Sequence, residues 1–235
     1  MPKFNIARAC DLVEGRFGEE QRAAADGSIQ SVVKRLNYAR FHHRQITDLL
    51  ARFQAARLDA SSLFEVAFGP DQAVRDEYYE FMDAIGAHAV ACAQSIHSVA
   101  DLLANAVFYC LKLDAGGEPL APEKVDLRRV CAMLGKEPAL LPIKAALETL
   151  VADAAFAHVD ALSNKAKHSS LVKAALNEDM TGERERRHEI RFQAFRRKGA
   201  DYPEAEVEGA LAPAYRAASE ATIGVGILLV ETLER

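Results

Sequence analysis

The feature of this sequence that most restricts its fold is a stripe of residues that recurs every three or four positions over about 40 residues. Its members are Val74, Tyr78, Phe81, Ile85, His88, Cys92, Ser95, Val99, Leu102, Ala106, Tyr109 and Leu113. This spacing places the stripe on one face of an α-helix. Such a helix would be about 60 Å long, and in a chain of 235 residues it needs partners of similar length. The pattern therefore predicts a helical bundle.

Other segments carry the same rhythm and predict further helices. Residues 28–57 repeat it, at Ile29, Val32, Leu36, Ala39, His43, Ile46, Leu50 and Phe53. We expect Asp26-Gly27-Ser28 to cap this helix and Asp71 to cap a second helix over residues 71–113. Further helices are predicted over residues 126–134, over residues 139–168 and from residue 203 onward. The sequence predicts an all-α fold, an antiparallel bundle of four or more long helices in one domain over residues 1–235.

One segment, residues 169–202, interrupts the helical pattern. Ile190, Phe192 and Ala194 alternate with a period of two, which is typical of a half-exposed strand. Leu171-Val172 and Ala174-Ala175 could pair with that strand across a turn at Thr181-Gly182. The segment is predicted to be a small β-hairpin or loop insertion, and a helical continuation is the alternative.

Composition restricts the protein's setting and partners. The net charge of −5 argues against a chain that binds nucleic acid or anionic membranes over its whole surface, but it permits a local basic patch. The cysteines, Cys10, Cys92, Cys110 and Cys131, form no CxxC motif, which indicates free thiols in a reducing, cytoplasmic protein. The N-terminus lacks a signal-peptide pattern. Asp101 interrupts the most apolar stretch, so no membrane span is expected.

Four polar residues follow one helical face beside the long stripe: Gln94, His97, Asp101 and Asn105. They could form a layer of hydrogen bonds between helices, with Asp101 buried and paired with His97 or with a residue of another helix. Alternatively His97 and Asp101 could bind a metal with His88 or His158, but two ligands do not make a metal site. We therefore predict no metal and no cofactor. His43 and His88, at stripe positions, are interpreted as core histidines.

Basic residues concentrate at the end of the third long helix and in the segment after it. Asn164 and His168 share a helical face, with Lys165 and Lys167 beside them. The cations that follow are Lys173, Arg184, Arg186, Arg187, Arg191, Arg196, Arg197 and Lys198. Residues 165–198 hold ten Lys and Arg against five Asp and Glu, a net +5, which leaves −10 for the rest of the chain. This asymmetry suggests a polyanion-binding surface; a salt-bridged, solvated face is the alternative.

The Asn164-x-x-x-His168 spacing at the end of a long helix resembles the nuclease motif of the HEPN superfamily. Ser95–Leu103 is also similar to a second-helix signature of uncharacterised bacterial HEPN-like proteins, in which an Asn-x-x-Lys-His form replaces the family's Arg form. The resemblance implies a helical bundle, a homodimer and RNA binding. In active members it implies metal-independent endoribonuclease activity, as in toxin–antitoxin and phage-defence systems. Here Ser163 occupies the Arg position.

RNA cleavage of this kind needs two things that the motif could supply. An imidazole such as His168 can move the 2′-OH proton, and Asn164 could orient it. Lys165, Lys167 or an arginine of the basic segment could stabilise charge on the phosphate oxygens. We therefore expect a protein that binds RNA or a nucleotide and whose histidine and lysines would allow it to act as an endoribonuclease. The alternative is a non-catalytic interaction protein whose same surface docks a protein partner such as an antitoxin.

Overall fold

The computed structural model describes residues 3–59, 61–115 and 120–235 and is mostly helical, with small antiparallel sheets. The fold class is therefore confirmed at this level, while the antiparallel bundle stays a prediction. The chain divides into two compact units, unit 1 (Met1–Asn37, Ser95–Ala157 and Ala214–Arg235) and unit 2 (Tyr38–Gln94 and His158–Pro213). In the described residues, no helix is long and apolar enough to cross a membrane.

Unit 1 is helical throughout its described part. It contains α1 (Ile6–Phe17), α5 (Val99–Leu111), α6 (Leu127–Leu134) and α7 (Leu141–Ala152). It also holds parts of α2 (Glu19–Phe53) and α9 (Val207–Leu233). Its core consists of fully buried apolar side chains, among them Val13, Val32, Val107, Phe108, Leu134, Ile143, Leu147 and Leu229. The packing of this one core fixes the helices that belong to unit 1.

The first long helix, α2 (Glu19–Phe53), begins nine residues before the predicted start and continues into a π-helical turn at Gln54–Leu58. The predicted cap at Asp26-Gly27-Ser28 is wrong, because these residues lie inside the helix. Burial of Ala25 and Ile29 on either side outweighs the roughly 1 kcal/mol that a mid-helix glycine costs. The Asp26 carboxylate accepts a hydrogen bond from Gln30 instead of capping a helix.

The segment predicted as one helix over 71–113 forms α4 (Gln72–His97) and α5, with a single residue, Ser98, between them. The backbone of Ser98 stays in the helical region, at φ −69° and ψ −13°. Asp71 caps α4 as predicted, because its carboxylate accepts from the N–H of Ala73 at 2.9 Å. No described residue of the two stripes is exposed, so the heptad pattern correctly identified the buried faces.

The third predicted helix, 139–168, is wrong as a single element. It consists of a 3₁₀ turn at Pro138–Leu140, then α7, then α8 (Ala154–His168). The break falls at Asp153, whose backbone is extended at ψ 130° and whose carboxylate accepts from the N–H of Phe156 at 2.9 Å. Asp153 therefore caps α8 and cannot continue α7.

The predicted hairpin is confirmed. Strands β1 (Ala174–Glu178) and β2 (His188–Phe192) pair antiparallel, with Ala174 opposite Phe192, and Leu171-Val172 precede the pairing. The structure adds a second hairpin, β3 (Phe195–Arg197) with β4 (Ala200–Tyr202), and β5 (Ala205–Glu206), which pairs with β2. Because β5 extends the sheet, the last helix, α9 (Val207–Leu233), begins at Val207 rather than at Pro203.

One carboxylate of this sheet also fixes a short helix of unit 2, α3 (Leu63–Phe68). Glu178 accepts a hydrogen bond from the N–H of Leu63 at 3.0 Å and another from Arg187 at 2.7 Å. Burial alone would raise the pKa of Glu178, but these two bonds outweigh burial and hold the pKa below its ordinary value. Glu178 is therefore an ionised link between β1 and the start of α3.

Candidate functional site

The strongest candidate site is a cleft of about 570 Å³ in unit 2, which we call the basic cleft. One wall is the end of α8, and the other is the β3–β4 hairpin. Its lining residues are Asn164, Lys165, His168, Ser169, Arg196, Arg197 and Lys198. The structure thus brings together three of the four predicted catalytic residues and two of the predicted nucleic-acid-binding arginines. Lys167, the fourth, is exposed but does not line the cleft.

The positive charge on the α8 wall is explained in part by the stability of the helix itself. Lys165, Lys167 and His168 lie in the last turn of α8, where positive charge is favoured by the negative end of the helix dipole. Cations at this place are common in helices of any function. His168 is exposed, and it has no hydrogen-bond partner among the residues that the structure describes. Its imidazole is therefore open to a ligand.

The hairpin wall has no such explanation. Lys198 and Gly199 form a two-residue turn between Arg197 and Ala200, and both have positive φ, 49° and 84°. This is the turn type that matches the twist of two paired strands, and Gly or Asn favours both positions. A lysine in the left-handed region costs about 1 kcal/mol relative to those residues. The hairpin therefore carries a lysine where its backbone conformation would favour Gly or Asn.

An aromatic cluster holds the hairpin to α8. Phe195 and Tyr202 are opposite each other in the β3–β4 register, and their rings stack at 4.6 Å and 3°. The ring of His158, on α8, meets both edge to face. Burial lowers the pKa of His158, so this histidine is neutral near pH 7 and serves the packing. The cluster fixes the distance between the two walls of the basic cleft.

Asp160 restrains two residues of the cleft. Its carboxylate lies 3.6 Å from the guanidinium of Arg197 and accepts a hydrogen bond from the Asn164 amide at 2.9 Å. The same amide donates to the carbonyl of Asp160 at 3.0 Å. The expected orientation of His168 by Asn164 is therefore not observed, because both amide bonds point one turn back along α8.

The charge of the cleft stays positive after its ion pairs are counted. Lys165, Arg196, Arg197 and Lys198 contribute four positive charges, and Asp160 and Asp201 contribute two negative charges, a net +2. Arg196 and Asp201 are both highly exposed and 3.5 Å apart, so their attraction is weak. Within the described ranges, Lys165 and Lys198 have no ion-pair partner. Two cations are therefore available to an anion.

The other predicted nucleic-acid-binding arginines are paired with carboxylates. Arg184 lies 3.8 Å from Glu189, and Arg191 lies 2.8 Å from the same carboxylate. The remaining pairs are Arg186 with Glu208 at 3.0 Å and Arg187 with Glu178 at 2.7 Å. None of these arginines, nor Lys173, lines the basic cleft. For this part of the basic segment, a salt-bridged face is the better description.

Ser163, at the position of the family's arginine, is fully buried. Its hydroxyl has no hydrogen-bond partner among the described residues. Positions 164, 165 and 168 line the cleft, whereas position 163 faces the interior. An arginine of the HEPN kind would therefore not reach this cleft from position 163.

The predicted polar layer has a different role from the one expected. Asp101 is exposed rather than buried, and its carboxylate accepts from the N–H of Leu127, the first residue of α6, at 3.3 Å. The amide of Asn105 donates to the carbonyls of Asp101 and Val125. Both residues attach α6 to α5 within unit 1, because exposed carboxylates and amides can capture free backbone groups at a helix start.

The metal alternative finds no support in the described residues. No group of three or more His, Cys, Asp or Glu is close enough there to hold a metal ion. Gln94, in unit 2, lines a separate cleft together with Lys173.

The sequence interpretation missed one histidine pair. The Nδ1 atoms of His42 and His88 lie 2.9 Å apart, so one ring donates to the other. Burial, and then the charge of His88, lowers the pKa of His42. His88 was correctly placed on a packed face, but its partner is His42, one residue before the stripe position His43. The heptad count marks about one position per helical turn, so it does not include a neighbouring position such as 42 that also contacts the facing helix.

Comparisons of the chain with protein-family models, with curated proteins and with solved structures found no match. The geometry of the basic cleft is therefore the basis for the function proposed below.

Proposed function

We propose that this protein binds RNA by its phosphate backbone in the basic cleft. The observation that carries the proposal is a pair of cations, Lys165 and Lys198, that have no ion-pair partner among the described residues, come from two separate elements and face one cleft. In contrast, carboxylates pair with the arginines of the same basic segment that lie outside the cleft, Arg184, Arg186, Arg187 and Arg191. RNA rather than another polyanion is proposed because Asn164 and His168 resemble the HEPN motif.

The lining of the cleft favours binding of RNA without sequence preference. Its lining contains no ring on which a base could stack other than His168, and its polar groups are cations and one amide. Phosphate contacts alone carry no sequence information. About three contacts to a single strand, from the cleft cations other than Arg197, would give a slope of about −2 in a plot of log affinity against log salt.

Cleavage of the bound RNA is the second candidate function. One observation favours it, since the exposed imidazole of His168 lines the same cleft as the cations. Metal-independent transphosphorylation also needs a second proton-transfer group and a fixed donor to the phosphate. The buried Ser163 does not supply that donor. We therefore place binding first and metal-independent endoribonuclease activity, of the toxin–antitoxin or phage-defence type, second.

Fluorescence anisotropy with a labelled single-stranded RNA, measured over a range of salt concentrations, tests the proposal. We expect Lys165→Ala with Lys198→Ala to weaken binding about tenfold or more and to flatten the salt dependence. The matched control is Arg184→Ala with Arg187→Ala, which removes the same charge outside the cleft and should bind as the wild type does. Equal losses in both double variants, or no binding by the wild type at low salt, would refute the cleft as the site.

Electrophoresis of the same RNA decides the second candidate. Cleavage by the wild type that His168→Ala abolishes, with binding intact, would establish His168 as a catalytic residue. Intact RNA after long incubation would leave the protein as a binder. Should it bind no RNA, the interaction-protein alternative takes its place.

Two further parts of the proposal rest on the sequence, namely on the heptad stripes and the long apolar helices together with the family resemblance. We propose that the helices form an antiparallel bundle and that two copies associate as a homodimer. Sedimentation at micromolar concentration checks the second part, and a 25.7 kDa species would refute it.

A further inference from the structure

The short helix α3, in unit 2, displays two large aromatic side chains to solvent. Phe64 and Phe68 are 71% and 69% exposed, and their ring centroids lie 5.4 Å apart. We call them the Phe64–Phe68 pair. One exposed aromatic ring is ordinary on a protein surface, but two adjacent rings form a contiguous apolar patch, and such patches mark interaction sites.

The backbone beneath the pair is held at both ends. The hydroxyl of Ser62 and the carboxylate of Glu65 form a reciprocal capping box, and the Glu178 carboxylate accepts from the N–H of Leu63. At the other end, the N–H of Gly69 donates to the carbonyl of Glu65 at 2.8 Å. Val66 and Ala67 anchor the inner face of α3 in the core. The rings are thus displayed on a fixed helix, which lowers the entropy lost when a partner binds.

The surroundings of the pair are strongly acidic. Residues 57–80 contain six carboxylates and two arginines, a net charge of −4, and one of these carboxylates, Glu77, is paired with Arg57. Glu65 is part of α3 itself, and Asp71 is three positions after Phe68, a span of at most about 11 Å. That is close to the screening length in physiological salt, so these charges act on anything that covers the rings.

We propose that the Phe64–Phe68 pair is the docking site for a basic, amphipathic helical segment of a partner protein. Apolar side chains of the partner would cover the two rings, which are the residue type that dominates binding energy at interfaces. Lysine or arginine on the flanks of the partner helix would face the carboxylates of residues 57–80.

The same charges disfavour the two other obvious occupants. A second copy of this chain, placed symmetrically on the pair, would set two acidic segments of the same net charge against each other. An anionic membrane would likewise be repelled. The proposal is separate from RNA binding, because none of these residues lines the basic cleft.

The test uses the full chain and a labelled helical peptide of about 14 residues, with leucine on one face and lysine elsewhere. We expect micromolar binding by the wild type and a loss of about tenfold or more in Phe64→Ser with Phe68→Ser. Tyr38→Ser, which removes another exposed aromatic of unit 2, should bind as the wild type does. Because the altered side chains are exposed, circular dichroism should be unchanged.

Each remaining arm has a defined outcome. A peptide with glutamate in place of lysine, and one with the same composition but no apolar face, should bind at least about tenfold more weakly. Equal binding of the three peptides, or equal binding by the double variant, overturns the proposal. The proposal is also overturned if the wild type forms a dimer that the double variant does not form. It is overturned as well if the wild type binds vesicles of phosphatidylcholine and phosphatidylglycerol and this binding needs the two rings.

Discussion

The carboxylate of Asp160 lies 3.6 Å from the guanidinium of Arg197, on the border of the basic cleft. It therefore withdraws one of the four cleft cations from any ligand and fixes the side chain that carries it. Replacing Asp160 by Asn removes the negative charge but keeps an oxygen that can accept from Asn164. The net charge of the cleft rises from +2 to +3.

We expect Asp160→Asn to bind single-stranded RNA several-fold more tightly and to raise the salt slope by about 0.7, since Arg197 becomes free to contact a phosphate. Anisotropy titrations in two salt concentrations measure both quantities. Asp48→Asn is the control, because it makes the same charge change at an exposed residue outside the cleft. An equal gain in the two variants would mean that net charge alone, and not Arg197, determines affinity.

A second prediction concerns Lys198, the turn residue with φ 49°. Lys198→Asn should increase the free energy of unfolding by about 0.5–1 kcal/mol, because Asn adopts this backbone conformation more readily. The same change should weaken RNA binding. Chemical denaturation would thus show a higher free energy of unfolding, while anisotropy would show a lower affinity for RNA. Lys198→Arg keeps the charge and should preserve binding. A Lys198→Asn protein that loses stability together with binding would show that the backbone conformation at position 198 does not favour Asn.

The stacked rings of the second hairpin predict a third outcome. Phe195→Ala removes a buried ring that Tyr202 and His158 contact, and it should destabilise the protein by about 3 kcal/mol. RNA affinity should fall as well, because the hairpin wall is no longer held against α8. Thermal melts and anisotropy measure the two effects. Unaltered RNA binding in a folded Phe195→Ala protein would show that the wall does not need this cluster.

The His42–His88 pair predicts how stability depends on pH. The pKa of His42 lies below its ordinary 6.5, from burial first and from the charge of His88 second. At a pH between the lowered pKa of the folded protein and 6.5, the unfolded chain binds more protons than the folded protein does. The stability contributed by neutral His42 is therefore present above pH 6.5 and is lost as the pH falls below it. Denaturation midpoints at pH 7.5 and at pH 5.5, roughly one unit on either side of that value, measure this loss.

In His42→Asn the loss between the two pH values should be smaller than in the wild type. His158, whose pKa is lowered by burial, accounts for part of what remains. His43→Asn leaves the pair intact and should retain the wild-type pH dependence. If His42→Asn retains it too, the pair does not contribute to the effect.

The exposed position of Asp101 sets a limit on its contribution to stability. A buried, paired carboxylate would cost more when removed, but the Asp101 carboxylate accepts a single hydrogen bond from the described residues, from the backbone at the start of α6. Asp101→Ala should therefore reduce the free energy of unfolding by about 0.5–1 kcal/mol. A loss of more than about 3 kcal/mol in urea denaturation would instead indicate the buried role that the sequence suggested.

The sequence predicted the helical class because a heptad stripe reports which face of a helix is buried. It did not predict where helices stop, since this depends on single side chains whose roles are decided by packing. Asp26 looked like a cap and lies mid-helix, whereas Asp153 lies in an Ala-rich stretch and caps α8. The side chains of both aspartates can cap a helix, and the burial of the neighbouring residues determines that Asp153 does so and Asp26 does not.

The candidate site was predicted in part for a similar reason. Asn164, Lys165 and His168 share a helical face, so spacing alone brought them together. Lys198 was counted with the basic run but was not singled out, because the Lys-Gly turn that directs it to the cleft belongs to a hairpin too short to show strand alternation. The separation of paired from unpaired arginines depends on carboxylates as distant as Glu208, which sequence order does not reveal.

The link from Glu178 to the N–H of Leu63 has a consequence for local unfolding. When a carboxylate of β1 supplies the acceptor for the first turn of α3, separating the β1–β2 strands also removes that acceptor. The two regions should then open as one cooperative segment, with amides of α3 and of β1 exchanging with solvent deuterium at a shared rate. Glu178→Ala, which removes the acceptor, would separate these rates, with the α3 amides becoming the faster of the two. Anything that binds the exposed face of α3 would in turn slow exchange in a hairpin that it never touches.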